Sequence, residues 1–224
     1  MKKAIAILLS LTMILVLAAC GNSASQTEQP STEDTSVESK ADTKSAESST
    51  DMENTDNQDV QDHKVLVAYF SATGTTKGVA VHIANGLNAD IYEIVPEEPY
   101  TDADLDYNDN NSRTTIEMNA PNARPVISGS VENMEQYDTV FIGYPIWWGE
   151  APRIVSTFME SYDFSGKTIV PFCTSGGSGI GSSASNLERL TCGATWLDGR
   201  RLNGSDSQDT VMEWVNSLNL NLAE

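Results

Sequence analysis

Three short stretches carry residue types from which a ligand site can be built. SATGTT, at 71–76, follows directly on the apolar run 65–70. Ser71, Thr73, Thr75 and Thr76 offer neutral hydroxyl donors there, and Gly74 lets the main chain come close to a ligand. If this stretch opens a helix, its free backbone N–H groups lie at the positive end of the helix dipole. Such a neutral nest grips a terminal phosphate without an arginine. Ordinary Ser/Thr capping is the plainer reading of the stretch taken alone. The spacing to Lys77 is wrong for a Walker loop, and the G-x-G-x-x-G fingerprint is absent. GYPIWWG, at 143–149, offers two adjacent tryptophans as a stacking surface for a flat π-system. Neighbours on a strand point to opposite faces, so at least one of the pair is expected to look elsewhere. TSGGSGIG, at 174–181, adds Gly176 and Gly177. With Gly143 and Gly149 they let backbone approach a ring edge and donate hydrogen bonds to it.

The elements that must position these stretches follow from the hydrophobic pattern. Residues 64–70 form a continuous apolar run, as expected of a strand buried on both faces. In 77–88, Val79, Ile83 and Leu87 fall on one helical face. Residues 89–95 alternate and read as a second strand. The segment 96–131 is long and polar, with a helix expected around 112–118. The run 138–148 opens as a strand, and a helix over 152–162 with Pro152 at its start and a strand over 167–173 come next. A helix over 182–190 and a short extended piece near 194–197 follow. A last helix spans 206–218, capped by Ser205 or Asp206. Strands alternating with helices imply a doubly wound parallel sheet. Ligands of such sheets sit beyond the carboxyl ends of the strands. The three loops 71–76, 144–150 and 174–181 each follow a strand, so they are expected to converge there.

With these residues in place, the domain resembles the flavodoxins. A strand ending in Tyr69-Phe70 and then Ser-x-Thr-Gly-x-Thr looks like their phosphate loop. Gly143-Tyr-Pro-Ile-Trp-Trp-Gly149 and Phe172-Cys-Thr-Ser-Gly-Gly-Ser178 follow in the same order, as in a bacterial subfamily bearing Tyr-Pro-x-Trp-Trp. The resemblance covers about 64–220. It implies a flavodoxin-like five-stranded parallel sheet of order 2-1-3-4-5 with helices on both faces, non-covalently bound FMN and electron transfer. By position, Ser71, Thr73, Gly74, Thr75 and Thr76 would hold the phosphate. Pro145, Ile146, Trp147, Trp148 and Gly149 would line the isoalloxazine, and Thr174, Ser175, Gly176 and Gly177 would border its pyrimidine side. An acidic surround with few cations would disfavour an anionic reduced flavin and lower its potential. The polar stretch 99–119 is longer than a short flavodoxin needs, and the resemblance implies that it lies over the flavin side.

The N-terminus points outside the cytoplasm. Lys2 and Lys3 precede an apolar stretch, 4–17, that is short for a membrane span, and LAAC then Gly21 resembles a bacterial lipobox. This implies a signal peptide over 1–20, lipidation at Cys20 and anchoring on the extracytoplasmic face of a bacterial membrane. Residues 21–63 are rich in Ser, Thr, Asp, Glu and Gln without an aromatic, which reads as an acidic solvated tether. The folded domain is expected over 64–224.

The whole chain carries a formal charge of −19, and from Val65 onward 21 acidic residues face 8 Lys and Arg. That argues against nucleic acid as a partner. A basic protein partner and simple solubility both fit it. With His63 and His82 as the histidines, a His/Cys metal site is excluded. The run from Asp106 to Glu117 nearly matches a calcium loop. Asn replaces the required glycine, so a solvated turn is the better reading. Cys173 and Cys192 could pair in an oxidising exterior, but two cysteines make no framework.

Among function classes, hydrolysis lacks its parts: Ser178 is flanked by Gly176 and Ile180, so the G-x-S-x-G elbow fails, and His82 lies in the first helix. An electron carrier handing electrons to redox proteins or membrane-associated donors and acceptors is favoured by the anchor. An FMN-dependent NAD(P)H:quinone-type oxidoreductase is the alternative, since such folds host both. A flavin-free binding module would have lost the hydroxyl loop or the tryptophans, and both are present.

Overall fold

The computed structural model describes residues 64–220. The expected signal peptide, the expected lipidation at Cys20 and the expected tether lie outside the described residues. β1 (Lys64–Tyr69) is buried on both faces because its side chains alternate between two cores. Leu66 and Ala68 enter one, and Val65, Val67 and Tyr69 enter the other. α1 (Thr75–Leu87) starts two residues before the apolar pattern suggested and ends at Asn88, whose left-handed φ of 49° stops it.

The expected second strand divides. β2 (Asp90–Glu93) runs parallel to β1, whereas β3 (Val95–Pro96) leaves the sheet and pairs antiparallel with β4 (Ile127–Ser128). Between them lies α2 (Arg113–Asn119), capped by the Ser112 side chain. A single 3-10 turn at Met134–Gln136 leads into β5 (Tyr137–Pro145), and α3 (Arg153–Glu160) follows, with Pro152 at its N-cap. β6 (Thr168–Thr174), α4 (Ser183–Glu188), β7 (Thr195–Trp196), β8 (Arg200–Arg201) and α5 (Gln208–Ser217) complete the order.

The main sheet runs β2-β1-β5-β6-β7, with β8 also parallel to β6. This is the expected flavodoxin-like order, but the fifth position is filled by two short segments instead of one strand. β7 pairs at Thr168 and Ile169, and β8 pairs at Phe172 and Cys173. Pro171 lies between, with no N–H to give to a neighbour. A Cβ added at Gly199 would stand 2.7 Å from its ring, so the fifth strand steps around it.

Helices cover both faces. α1 and α5 bring Val79, Ile83, Val211 and Val215 against Val67, Phe141 and Phe172. α3 and α4 bring Ile154, Phe158 and Leu187 against Leu66, Ile142 and Ile169. Each such large side chain contributes about 1.5–3 kcal/mol on burial. The cap of α5 is Ser207, whose Oγ accepts from Thr210 N–H at 3.3 Å, rather than Ser205 or Asp206. Asp206 instead accepts from the Asn203 N–H at 2.7 Å. Cys173 is buried and Cys192 exposed, and both are free thiols. None of the described helices is long and apolar enough to cross a membrane.

Candidate functional site

The carboxyl ends of β1, β5 and β6 meet at a cavity of about 660 Å³, within the usual range for cofactor pockets. Its wall brings together Ser71, Thr73, Thr75 and Thr76 from the first loop, Pro145, Ile146, Trp147 and Trp148 from the second, and Thr174, Ser175 and Gly176 from the third. Gly74, Gly149 and Gly177 are absent from the wall. The first two shape their loops through positive φ, at 83° and 80°.

In the first loop no side chain caps α1, so the N–H groups of its opening turn are left for a ligand. Ser71 Oγ is buried without a hydrogen-bond partner, an expensive state that a bound acceptor would relieve. Thr73 and Thr75 are exposed, with their hydroxyls 3.3 Å apart. Thr76 is buried and shares a 2.8 Å hydrogen bond with Thr174 at the end of β6, tying the first loop to the third. Lys77, the first cation after the loop, is 2.9 Å from Glu93. Burial, and then the hydrogen bond to that same carboxylate, pushes the Tyr69 hydroxyl well above its ordinary range.

The second loop is a tight turn. Trp147 and Glu150 exchange both backbone hydrogen bonds, each at 2.9 Å. The two residues between them, Trp148 and Gly149, have φ of 51° and 80°. Positive φ at both central positions is the type I′ pattern, which favours Asn-Gly. A tryptophan there costs about 1–2 kcal/mol of backbone strain, and such strain gathers at functional positions. Trp148 stays 46% exposed at the tip. Trp147 is wedged edge-on between Phe70, at 5.5 Å, and Tyr100, at 5.4 Å. Because the pair sits on a turn and not on a strand, both line the cavity, and the expectation that one looks away does not hold.

Gly143 has another use than the one expected. A Cβ there would stand 2.2 Å from the ring of Phe172, so its bareness makes room for a core side chain, and the residue lies outside the cavity wall. In the third loop, Ser175 Oγ donates to Ser178 C=O and accepts from the Gly177 N–H at 3.3 Å. Ile146 N–H donates to Thr174 C=O at 2.9 Å, joining the second and third loops at their bases.

Sequence reasoning missed four wall residues: Ala72, Leu105, Tyr107 and Thr114. The last three come from the long polar segment that the resemblance placed over this side of the domain, and the cavity wall agrees with that placement, although the individual residues were not named. Tyr107 is 74% exposed at the rim. The segment is organised by its own contacts. Tyr100 donates to Glu117 at 2.6 Å, Arg113 pairs with Glu117 at 2.7 Å, and the Arg113 guanidinium lies 4.2 Å over the Tyr100 ring. Asp106 and Asp109 accept from the N–H groups of Asn108 and Asn111, at 2.9 and 2.8 Å, as a solvated turn does. Among the described residues no group of three or more His, Cys, Asp and Glu side chains could hold a metal ion.

Every wall residue is neutral. The chemistry of this donor set fits an anionic tail held by hydroxyls and helix N–H groups, with a flat ring against indole. The chain belongs to the flavodoxin family: the model of that family, described as Flavodoxin, matches residues 64–218. Among solved structures, an inferred flavoprotein from Bacteroides eggerthii is 47% identical, with a TM-score of 0.67 over 70% of this chain and 99% of its own. Another from Bacteroides uniformis is 46% identical, with a TM-score of 0.66 over 69% and 98%. A flavoprotein from Lactobacillus acidophilus, solved in complex with FMN, shares the fold at 22% identity and a TM-score of 0.52, over 68% of this chain and 99% of its own. No curated protein matches the chain.

Proposed function

We propose that the chain is a lipid-anchored, extracytoplasmic FMN protein that passes electrons between redox partners. The observation that carries this reading is the cavity itself, with an uncapped helix start and an orphaned Ser71 hydroxyl at one side and two tryptophans at another. Ser71, Thr73, Gly74, Thr75 and Thr76 bind the phosphate through hydroxyls and helix N–H groups. Pro145, Ile146, Trp147, Trp148 and Gly149 hold the ring, and Thr174, Ser175, Gly176 and Gly177 border its pyrimidine edge. Bound FMN supplies one- and two-electron transfer, while the protein supplies binding and electrostatics. The neutral wall leaves added negative charge on the ring uncompensated, which favours a low potential. The lipobox-like LAAC ending at Cys20 supports the anchor, and the acidic surface suits a basic partner.

The test is the visible spectrum of the full chain purified in detergent, with FMN added if it emerges colourless. Flavin bands and quenched flavin fluorescence are expected. A protein that takes up no FMN at micromolar concentration would overturn the reading. Rapid reduction of the bound flavin by NADPH would replace the carrier with a reductase.

A further inference from the structure

The turn that presents Trp148 is stitched to the third loop at two ends. At the base the stitch is the Ile146 to Thr174 backbone bond. At the far end it is a side-chain contact that lies outside the cavity. Glu150 closes the turn, and its carboxylate receives Asn186 Nδ2 on both oxygens, at 2.9 and 2.8 Å, with Ser182 Oγ donating at 3.3 Å. Asn186 belongs to α4 and Ser182 stands at its N-terminal boundary, so this contact spans from the second loop to the element that terminates the third. The two loops run close between the stitches, since a Cβ at Gly181 would stand 4.0 Å from the Gly149 carbonyl. Glu150 and Asn186 also line a separate small cavity, of about 130 Å³, which includes Arg153 and none of the wall residues of the larger one.

We propose that Glu150 and Asn186 are positioning residues for the cofactor site. Their bond holds the turn closed and keeps Trp148 in its left-handed conformation against the ring. This inference rests on the FMN reading above. The argument is one of opposing tendencies. Tryptophan does not favour positive φ by itself, and half of its side chain is exposed, so the tip has little packing of its own. Something outside the tip must over-determine its conformation. Trp147 is held by Phe70 and Tyr100, which fixes the entry to the turn. Glu150 fixes the exit. An ionised carboxylate accepts both contacts from Asn186 and the third from Ser182, and charge-assisted bonds of this kind are the stronger ones.

The experiment compares the full chain in detergent with Glu150→Ala, Asn186→Ala, the double variant and Glu150→Gln. Hydrogen–deuterium exchange is read over 146–151, and FMN affinity is read by fluorescence quenching. Either alanine variant is expected to speed exchange of the Trp147 and Glu150 amides and to weaken FMN binding, each about tenfold. The double variant should be no worse than either single one, because one contact is lost in all three. Glu150→Gln keeps one neutral acceptor oxygen for Asn186 but loses the charge and the second acceptor, so its affinity and turn exchange should fall between those of Glu150→Ala and wild type, a graded order that general destabilisation of the fold would not produce. Exchange and affinity within twofold of wild type in both single variants, or fully multiplying effects in the double one, would overturn the inference. If the unaltered protein binds no FMN, the functional reading fails, and turn exchange in the apo protein still decides the stitch: unchanged exchange in Glu150→Ala would sink it.

Discussion

Trp148 and Thr76 show two ways in which single residues build this site. Trp148 accepts backbone strain to stand at a rim. Thr76 is buried and serves the site through a partner, its hydroxyl joined to that of Thr174 at 2.8 Å. Thr76→Val keeps the shape but leaves Thr174 Oγ1 buried and unpaired, so unfolding in urea should show a loss of about 1–3 kcal/mol. Thr174→Val should do the same, and the pair together should cost less than the sum. Cys173 makes a different point. Burial pushes its thiol up to about 12, and the thiolate is the nucleophile. Iodoacetamide at pH 8 is therefore expected to label Cys192 and spare Cys173 in the native domain, with Cys173 reacting only after denaturation. Mass spectrometry of the two cysteine peptides checks this.

Among the elements, β5 and β6 carry the second and third loops, and their fit rests on Gly143 facing Phe172 across the ladder. Gly143→Ala drives a methyl group to 2.2 Å from a fully buried ring. Overpacking of this kind costs about 1–3 kcal/mol, and a lower midpoint in thermal unfolding is the expected result. The long polar segment is fastened to α3 by Arg124 and Glu160, which meet at 2.6 and 2.8 Å. The hydrogen bond from Arg124 holds the Glu160 carboxyl below its ordinary value. Its contribution is therefore full above the ordinary carboxylate range and is lost as pH falls through the lowered value. The pair is partly exposed, so about 0.2–1 kcal/mol is at stake. Glu160→Gln should flatten the acid limb of a stability–pH curve by that amount and leave neutral-pH affinity for FMN unaltered.

At this scale the sequence was most legible where one physical signal dominated. The apolar run of β1 and the hydroxyls after it marked both a strand and a loop. The indole pair marked a wall of the cavity, but its spacing could not tell a strand end from a type I′ turn, because Trp148 violates the preference that would have announced the turn. Leu105, Tyr107 and Thr114 were hidden for another reason. They lie in a segment organised by the tertiary contacts of Tyr100, Arg113 and Glu117, and nothing local in a polar run encodes those contacts. The divided fifth strand had its cue in Pro171 of the neighbouring strand, a long-range effect.

For the molecule as a whole, the proposed anchor makes a testable demand. Cys20→Ala should abolish incorporation of labelled palmitate into the protein, with its flavin spectrum intact. A second demand comes from where the chain enters the fold. Lys64 begins β1 at the end of the sheet away from the cavity, and Ser71 follows its other end, about 20 Å along. The chain therefore enters the described domain at the end of β1 opposite the cavity, so the proposed anchor does not depend on any residue of the cavity wall.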